Sequence, residues 1–219
     1  MTEQDLTTTA DGQLDAVTRS VTTTDNGRTF SIVAGLSQSY DTDIDDLWEA
    51  CTTADRLARW FAPVTGDLKL GGTYQIEGNA GGTVKSCDPP HGYTLSWEFG
   101  GEVSELTVRL ESLDSDRSRL TIEHGADVAA DRWTEYGPGS VGIGWDLGLL
   151  GLAHHLTTGA SAPAESTQWV HTDQAQHFMS DSSRRWADAA VSAGTPEALA
   201  RAFEMRTTAF YLGTEGDEA

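Results

Sequence analysis

The chain has 219 residues, 38% of them apolar, enough for one large domain or one domain with an appendage. Its 34 Asp and Glu outnumber 14 Lys and Arg, a formal net charge of −20. That charge repels phosphate backbones and anionic lipid, which argues against general nucleic-acid or membrane-surface binding. No apolar run approaches bilayer length, and polar residues follow Met1 in place of a signal region, so a cytoplasmic protein is expected, with no membrane insertion.

Residues 1–26 are rich in Thr, Asp and Gln without a sustained period, and read as a disordered leader. Phe30, Ile32, Ala34 and Leu36 then alternate with smaller or polar residues as a first strand. Asp43 suits the N-cap of a short helix carrying Ile44, Leu47, Trp48 and Cys51, and Thr53 that of a second carrying Leu57, Trp60 and Phe61. From Asp67 to Gly125 the pattern changes to strands separated by short Gly- and Asp-containing turns, an antiparallel meander with one apolar face. Trp145, Leu149, Leu152 and Leu156 make one stripe of a covering helix. Beside it, Gly144, Gly148 and Gly151 predict close approach of another backbone, with the C-terminal segment expected to pack there. Residues 159–168 read as a linker, and residues 169–212 as a helical extension of two amphipathic helices. Ala175, Phe178, Met179 and Trp186 mark the first of these helices. Thr195 caps the second, and residues 213–219 form an acidic tail.

The run from Trp48 to Pro63 (WEACTTADRLARWFAP) resembles a W-x-A-hydrophobic-T-x-P-x-x-L-x-x-W-F-x-P stretch. That stretch belongs to the SRPBCC superfamily, in its branch similar to the activator of the ninety-kilodalton heat-shock chaperone ATPase. Leu70-Gly71-Gly72-Thr73-Tyr74, Pro89-Pro90 with Tyr93 to Trp97, Ser118 to His124, and Gly144-Trp145 follow in that family's order. Ala54 stands where the family has Pro, and Cys51 where it has an aliphatic residue. The resemblance covers residues 27–158. It implies an α+β helix-grip (START-like) domain, a curved antiparallel sheet wrapped around a long helix, to which the two C-terminal helices are added. Members enclose a cavity for lipids, polyketides, hormones or other apolar molecules, and some catalyse cyclisation or dehydration there.

Strand phase places Tyr74 and His124 on the apolar face and Glu77, Glu98 and Glu123 on the other. His124 and Tyr74 are the candidate catalytic groups, although His124 reads equally well as a core histidine. Asp146 sits near the start of the long helix, where a carboxylate suits the helix dipole. His154 and His155 are adjacent and point apart, so no metal site is expected. Cys51 and Cys87 form neither a C-x-x-C pair nor a disulfide framework and read as structural. No cofactor motif appears. The nominated cavity residues are Trp60, Phe61, Tyr74, Ile76, Leu95, Trp97, Phe99, Ile122, His124, Trp133, Trp145, Leu149 and Leu152. The leading expectation is binding of a small apolar or amphipathic molecule. The alternatives are a cyclase- or dehydratase-like enzyme, and an interaction module whose C-terminal helices meet the chaperone or a second copy of this chain.

Overall fold

The computed structural model describes residues 3–161, 163–164 and 168–214. Two short helices, α1 (Glu3–Ala10) and α2 (Gln13–Ala16), lead into a hairpin of β1 (Thr18–Asp25) and β2 (Thr29–Tyr40). Next come α3 (Ile44–Thr52) and α4 (Ala54–Trp60), then β3 (Val64–Gly66), β4 (Thr73–Ile76), β5 (Gly81–Asp88), β6 (Gly92–Phe99), β7 (Glu102–Ser112) and β8 (Ser118–Ala129). Helix α5 (Ala130–Tyr136) and the long α6 (Gly139–Thr158) follow, then a 3-10 turn (Gln168–His171), α7 (Asp173–Ser192) and α8 (Glu197–Leu212).

All the strands form one antiparallel sheet in the order β1-β2-β8-β7-β6-β5-β4-β3. Every pairing except β2 with β8 is a local hairpin; that one runs from Thr29↔Ala129 to Tyr40↔Ser118 and ties the first hairpin to the end of the meander. The period of two puts Leu106, Val108 and Leu110 of β7 and Leu120, Ile122 and His124 of β8 on the buried face. The architecture is the α+β arrangement of a curved antiparallel sheet around a long helix, with helices added at the C-terminus. Asp43 caps α3 by accepting the Asp46 N–H at 2.8 Å. At α8 the cap position falls on Pro196, one residue beyond the expected Thr195, and no side chain fills it.

The expected leader is instead built into the fold. Leu6, Ala10 and Leu14 pack with Ile143, Leu147 and Leu150 of α6 and with Trp169, and Val17 and Val21 join the main core. These apolar residues are few and interrupted at Gly12. Their partners lie on the back of a helix far along the chain, so no local periodicity announces them. Thr18, Thr22, Thr23 and Thr24 are β-branched and suit a half-buried strand. The expected linker 159–168 falls partly outside the described residues, but Ala164 within it is buried. Of the expected acidic tail, residues 215–219 lie outside them too.

Between Gly142 and His155 helix α6 is enclosed on all sides, the pattern of a helix buried at the centre of a protein, and its exposed residues fall only in its end turns. Trp145, Leu149 and Leu152 face the sheet, whereas Ile143, Leu147 and Leu150 face α1 and the 3-10 turn. The small residues serve two neighbours. A Cβ on Gly142 would overlap the indole of Trp186 of α7, and one on Gly139 would press on Thr207 of α8. A Cβ on Gly151 would overlap the backbone of Trp60, and one on Gly148 would touch Phe61 at 3.8 Å. The C-terminal helices therefore use an earlier pair of glycines, and Gly148 and Gly151 make room for the α4 end of the chain. A helix turns about 100° per residue, which separates the two glycine faces.

Asp146 lies in the second turn of α6, beyond the reach of the helix end, and is fully buried. Arg19 of β1 grips its carboxylate through Nη2 at 2.6 Å and Nε at 3.1 Å. Ser182 Oγ donates to it at 2.6 Å and Trp186 Nε1 at 3.0 Å, both from α7. Arg19 also donates to the carbonyls of Leu14 and Val17, and Arg185 of α7 reaches the Leu14 carbonyl and pairs with Asp15 at 2.6 Å. Removing one partner of a buried pair strands the other charge. Arg19→Met is expected to lower unfolding free energy by about 3–5 kcal/mol, measured by urea denaturation. Arg19→Met combined with Asp146→Asn is expected to recover part of that loss.

Candidate functional site

A cavity of about 540 Å³ lies under the concave face of the sheet. Alternation along the strands supplies one wall: Leu95 and Trp97 from β6, Leu106 and Val108 from β7, and Leu120 and Ile122 from β8. Helices α3 and α4 supply the opposite wall with Trp48, Cys51, Leu57, Trp60 and the adjoining Phe61. Leu68, Lys69, Leu70, Cys87 and Pro89 line it while also exposed to solvent, and so mark its mouth.

Two polar links hold the helical wall in place. Trp60 Nε1 donates to the Ala50 carbonyl at 2.9 Å, locking α4 to α3. Arg56 donates from Nε to His155 Nε2 at 2.8 Å and pairs with Asp46 at 2.9 Å. The Arg56 and Thr42 hydrogen bonds outweigh the opposing desolvation and hold the Asp46 carboxyl below its ordinary range.

The nominated residues divide into two groups. Trp60, Phe61, Tyr74 and Ile76 line the cavity, as do Leu95, Trp97, Ile122 and Trp145. Trp145 is the one contribution of α6, stacked on Phe61 at 6.0 Å, so the cavity lies between the sheet and α3–α4 more than between the sheet and the long helix. Leu149 and Leu152 miss it because they are consumed in the core between α6 and the sheet. Trp133 packs instead between Phe30 and Phe203. Phe99 is 58% exposed at the β6–β7 turn, past the end of the concavity. His124 sits behind the wall, edge-on to Trp97 and Trp145. Trp48 and Tyr93, a T-shaped pair at 6.0 Å, were not nominated. They meet only through folding, although each lies on an apolar stripe visible in the sequence.

His124 resembles half of a nucleophilic dyad, with Ser104 Oγ 2.8 Å from Nε2. Trp145 Nε1 donates to Nδ1 at 3.2 Å, however, so the neutral ring carries its proton on Nε2 and donates toward the serine. That tautomer cannot take the serine proton. Burial holds His124 down to about 4. Tyr74 donates its hydroxyl to the Ser96 carbonyl at 2.8 Å, and burial, then the Glu98 charge, push it up to about 12. Tyr93 donates to the Cys51 carbonyl at 3.2 Å and is likewise held well above the ordinary tyrosine range, chiefly by burial. The Cys51 thiol is pushed up to about 12 by burial. These groups are fixed in single protonation states at neutral pH, a wall suited to contact and poor for proton transfer. Among the described residues no cluster of His, Cys, Asp or Glu is placed to hold a metal ion, and no helix is long and apolar enough to cross a membrane.

A curved antiparallel sheet, a long helix in its grip and an apolar hollow opening beside α3–α4 together define a helix-grip protein. Residues 41–157, more than half of the chain, match the family described as activator of Hsp90 ATPase homolog 1-like protein, and the chain belongs to that family. The crystal structure of CalU16 from Micromonospora echinospora is 27% identical, with a TM-score of 0.62 over 80% of this chain and 98% of that one. The solution structure of CalU16 gives 28% and 0.62 over 82% and 97%. A conserved protein of unknown function from Enterococcus faecalis is similar in fold alone, with 12% identity and a TM-score of 0.55 over 83% and 96%. No curated protein matches the chain.

Two measurements check the electrostatics. The unfolded chain binds a proton on His124 near pH 6.5, and the folded one only near 4. Stability is therefore expected to fall as pH is lowered through that window, with no contribution from this group above it. The parent is expected to lose about 3 kcal/mol more than His124→Gln between the two ends, by urea titration. With a thiol reagent at neutral pH, exposed Cys87 is expected to react in the native protein and buried Cys51 only after unfolding.

Proposed function

We propose that the protein binds a small apolar or amphipathic molecule in the cavity under the sheet, without catalysing a reaction on it. The observation that carries this reading is the lining. Aromatic and aliphatic side chains enclose about 540 Å³, a size that suits a small organic ligand, and the wall hydroxyls of Tyr74 and Tyr93 already donate to backbone carbonyls. Trp60, Phe61, Tyr74, Ile76, Leu95, Trp97, Ile122 and Trp145 would touch the ligand. Phe99, Trp133, Leu149 and Leu152 would act only as framework. Binding is favoured over acid–base catalysis by His124 and Tyr74 because both groups are committed to internal hydrogen bonds and shifted away from neutral pH.

The family's description names Hsp90 ATPase activation, which makes a chaperone partner the second reading. The C-terminal helices offer it little surface, since Phe178, Met179, Trp186 and Phe203 are turned inward, leaving Met205 and Phe210 as the large exposed apolar side chains of α8.

Native mass spectrometry of the purified protein is the direct test, with a co-purifying small molecule supporting binding. In parallel, Leu95→Trp should fill the cavity and weaken an apolar fluorescent probe by about tenfold or more, near 1.4 kcal/mol, while the folded far-ultraviolet spectrum is retained. Unchanged probe affinity in that variant would place binding elsewhere and defeat the proposal.

A further inference from the structure

The charged side chains that line the cavity are unbalanced. No aspartate or glutamate lines it, and Lys69 at the mouth is its one basic side chain. Among the four lining tryptophans, Trp60 and Trp145 spend their N–H groups on the Ala50 carbonyl and on His124. The indole N–H groups of Trp48 and Trp97 have no hydrogen-bond partner among the described residues, and neither is a sealed, buried atom. An indole nitrogen only donates, and so does an ammonium. The hydroxyls of Thr52, Tyr74 and Tyr93 spend their protons on backbone carbonyls and keep lone pairs that can accept, so a neutral donor has partners here, but no lining side chain carries a negative charge.

An amine brought into this cavity would lose its water and find no carboxylate to replace it. A carbonyl or carboxylate would find donors waiting. Lys69 is available to it: its pairing with Asp67 at 2.8 Å involves two exposed groups and is readily exchanged. The aromatic faces do not form an open cage for a cation either, because Phe61 is stacked on Trp145 and Trp97 lies across Trp145 at 5.3 Å.

On the reading that the cavity holds a ligand, we infer that this ligand is an apolar body carrying a hydrogen-bond acceptor, most strongly a carboxylate, with its acidic end at the mouth beside Lys69. The protein's overall charge of −20 biases the other way, toward cations, so an anion preference would have to come from the cavity itself.

The test uses the full chain and three probes with one hydrocarbon body: pyrenebutyrate, pyrenebutanol and pyrenebutyl-trimethylammonium, titrated by fluorescence at physiological ionic strength. The butyrate is expected to bind about tenfold or more tighter than the ammonium, and Lys69→Gln to shrink that gap to roughly threefold or less, with the alcohol weakened less than the butyrate. An ammonium that binds as tightly as the butyrate overturns the inference, as does a gap that survives Lys69→Gln. Binding of all three with no preference leaves the apolar-ligand reading standing and removes the acceptor. Failure of all three to bind overturns both.

Discussion

The buried carboxylate of Asp146 commits a large part of the molecule. A charge without access to water must be met by hydrogen-bond donors from several directions, and here they come from β1, near the start of the chain, and α7, near its end. Because Arg19 and Ser182 both converge on one side chain of α6, the N-terminal hairpin and the C-terminal helices are fixed with respect to the same helix. Arg185 repeats the connection directly, running from α7 to Asp15 and the Leu14 carbonyl. The segments that flank the family-matched region are thereby parts of one packed unit around α6.

That arrangement leaves α6 little freedom to contribute to a binding site. With α1, α7, α8 and the sheet on its sides, it can turn only Trp145 toward the cavity. The hollow is displaced toward α3 and α4, where the helices are short and the sheet curves away. Trp145 then has two tasks. Its ring forms part of the wall against Phe61 and Trp97, and its N–H sets the tautomer of His124 behind them. The histidine that strand phase correctly put on the inner face is therefore a spacer between Ser104 and an indole, kept neutral by burial and set behind the cavity lining.

The sheet, both short helices and the long helix were legible in the sequence because each shows its own period: two along β6 to β8, and 3.6 along the Trp145–Leu156 stripe. Aromatic wall residues could be nominated for the same reason. What could not be read was which of two buried faces an apolar side chain would join. Leu149 and Leu152 share a stripe with Trp145, yet one turn further along the helix the sheet is already in contact and the hollow has closed. Residues 3–25 were illegible for a different reason. Their few apolar positions gain meaning only opposite Ile143, Leu147 and Leu150. Asp146 gave no local sign of its role, since the arginine that neutralises it lies in a segment that looked unstructured.

The glycines of α6 connect the two halves of this picture. Glycine inside a helix costs about 1 kcal/mol relative to alanine, and α6 retains it where a neighbour comes closest. Gly142 admits the Trp186 indole, which donates to Asp146, while Gly151 admits the backbone of Trp60, whose ring forms part of the cavity wall. A methyl group at 142 would press against the polar cluster that holds the termini. A methyl at 151 would push α4 outward and widen the cavity, against the restraint of the Arg56–His155 hydrogen bond at its other end. Side chains of one hydrogen atom on opposite faces of the same helix thus set two different dimensions, the closure of the extensions and the width of the hollow. The stripe read from the sequence at 144, 148 and 151 therefore serves α4 through Gly148 and Gly151, and the C-terminal helices are admitted by Gly139 and Gly142, which lie outside it.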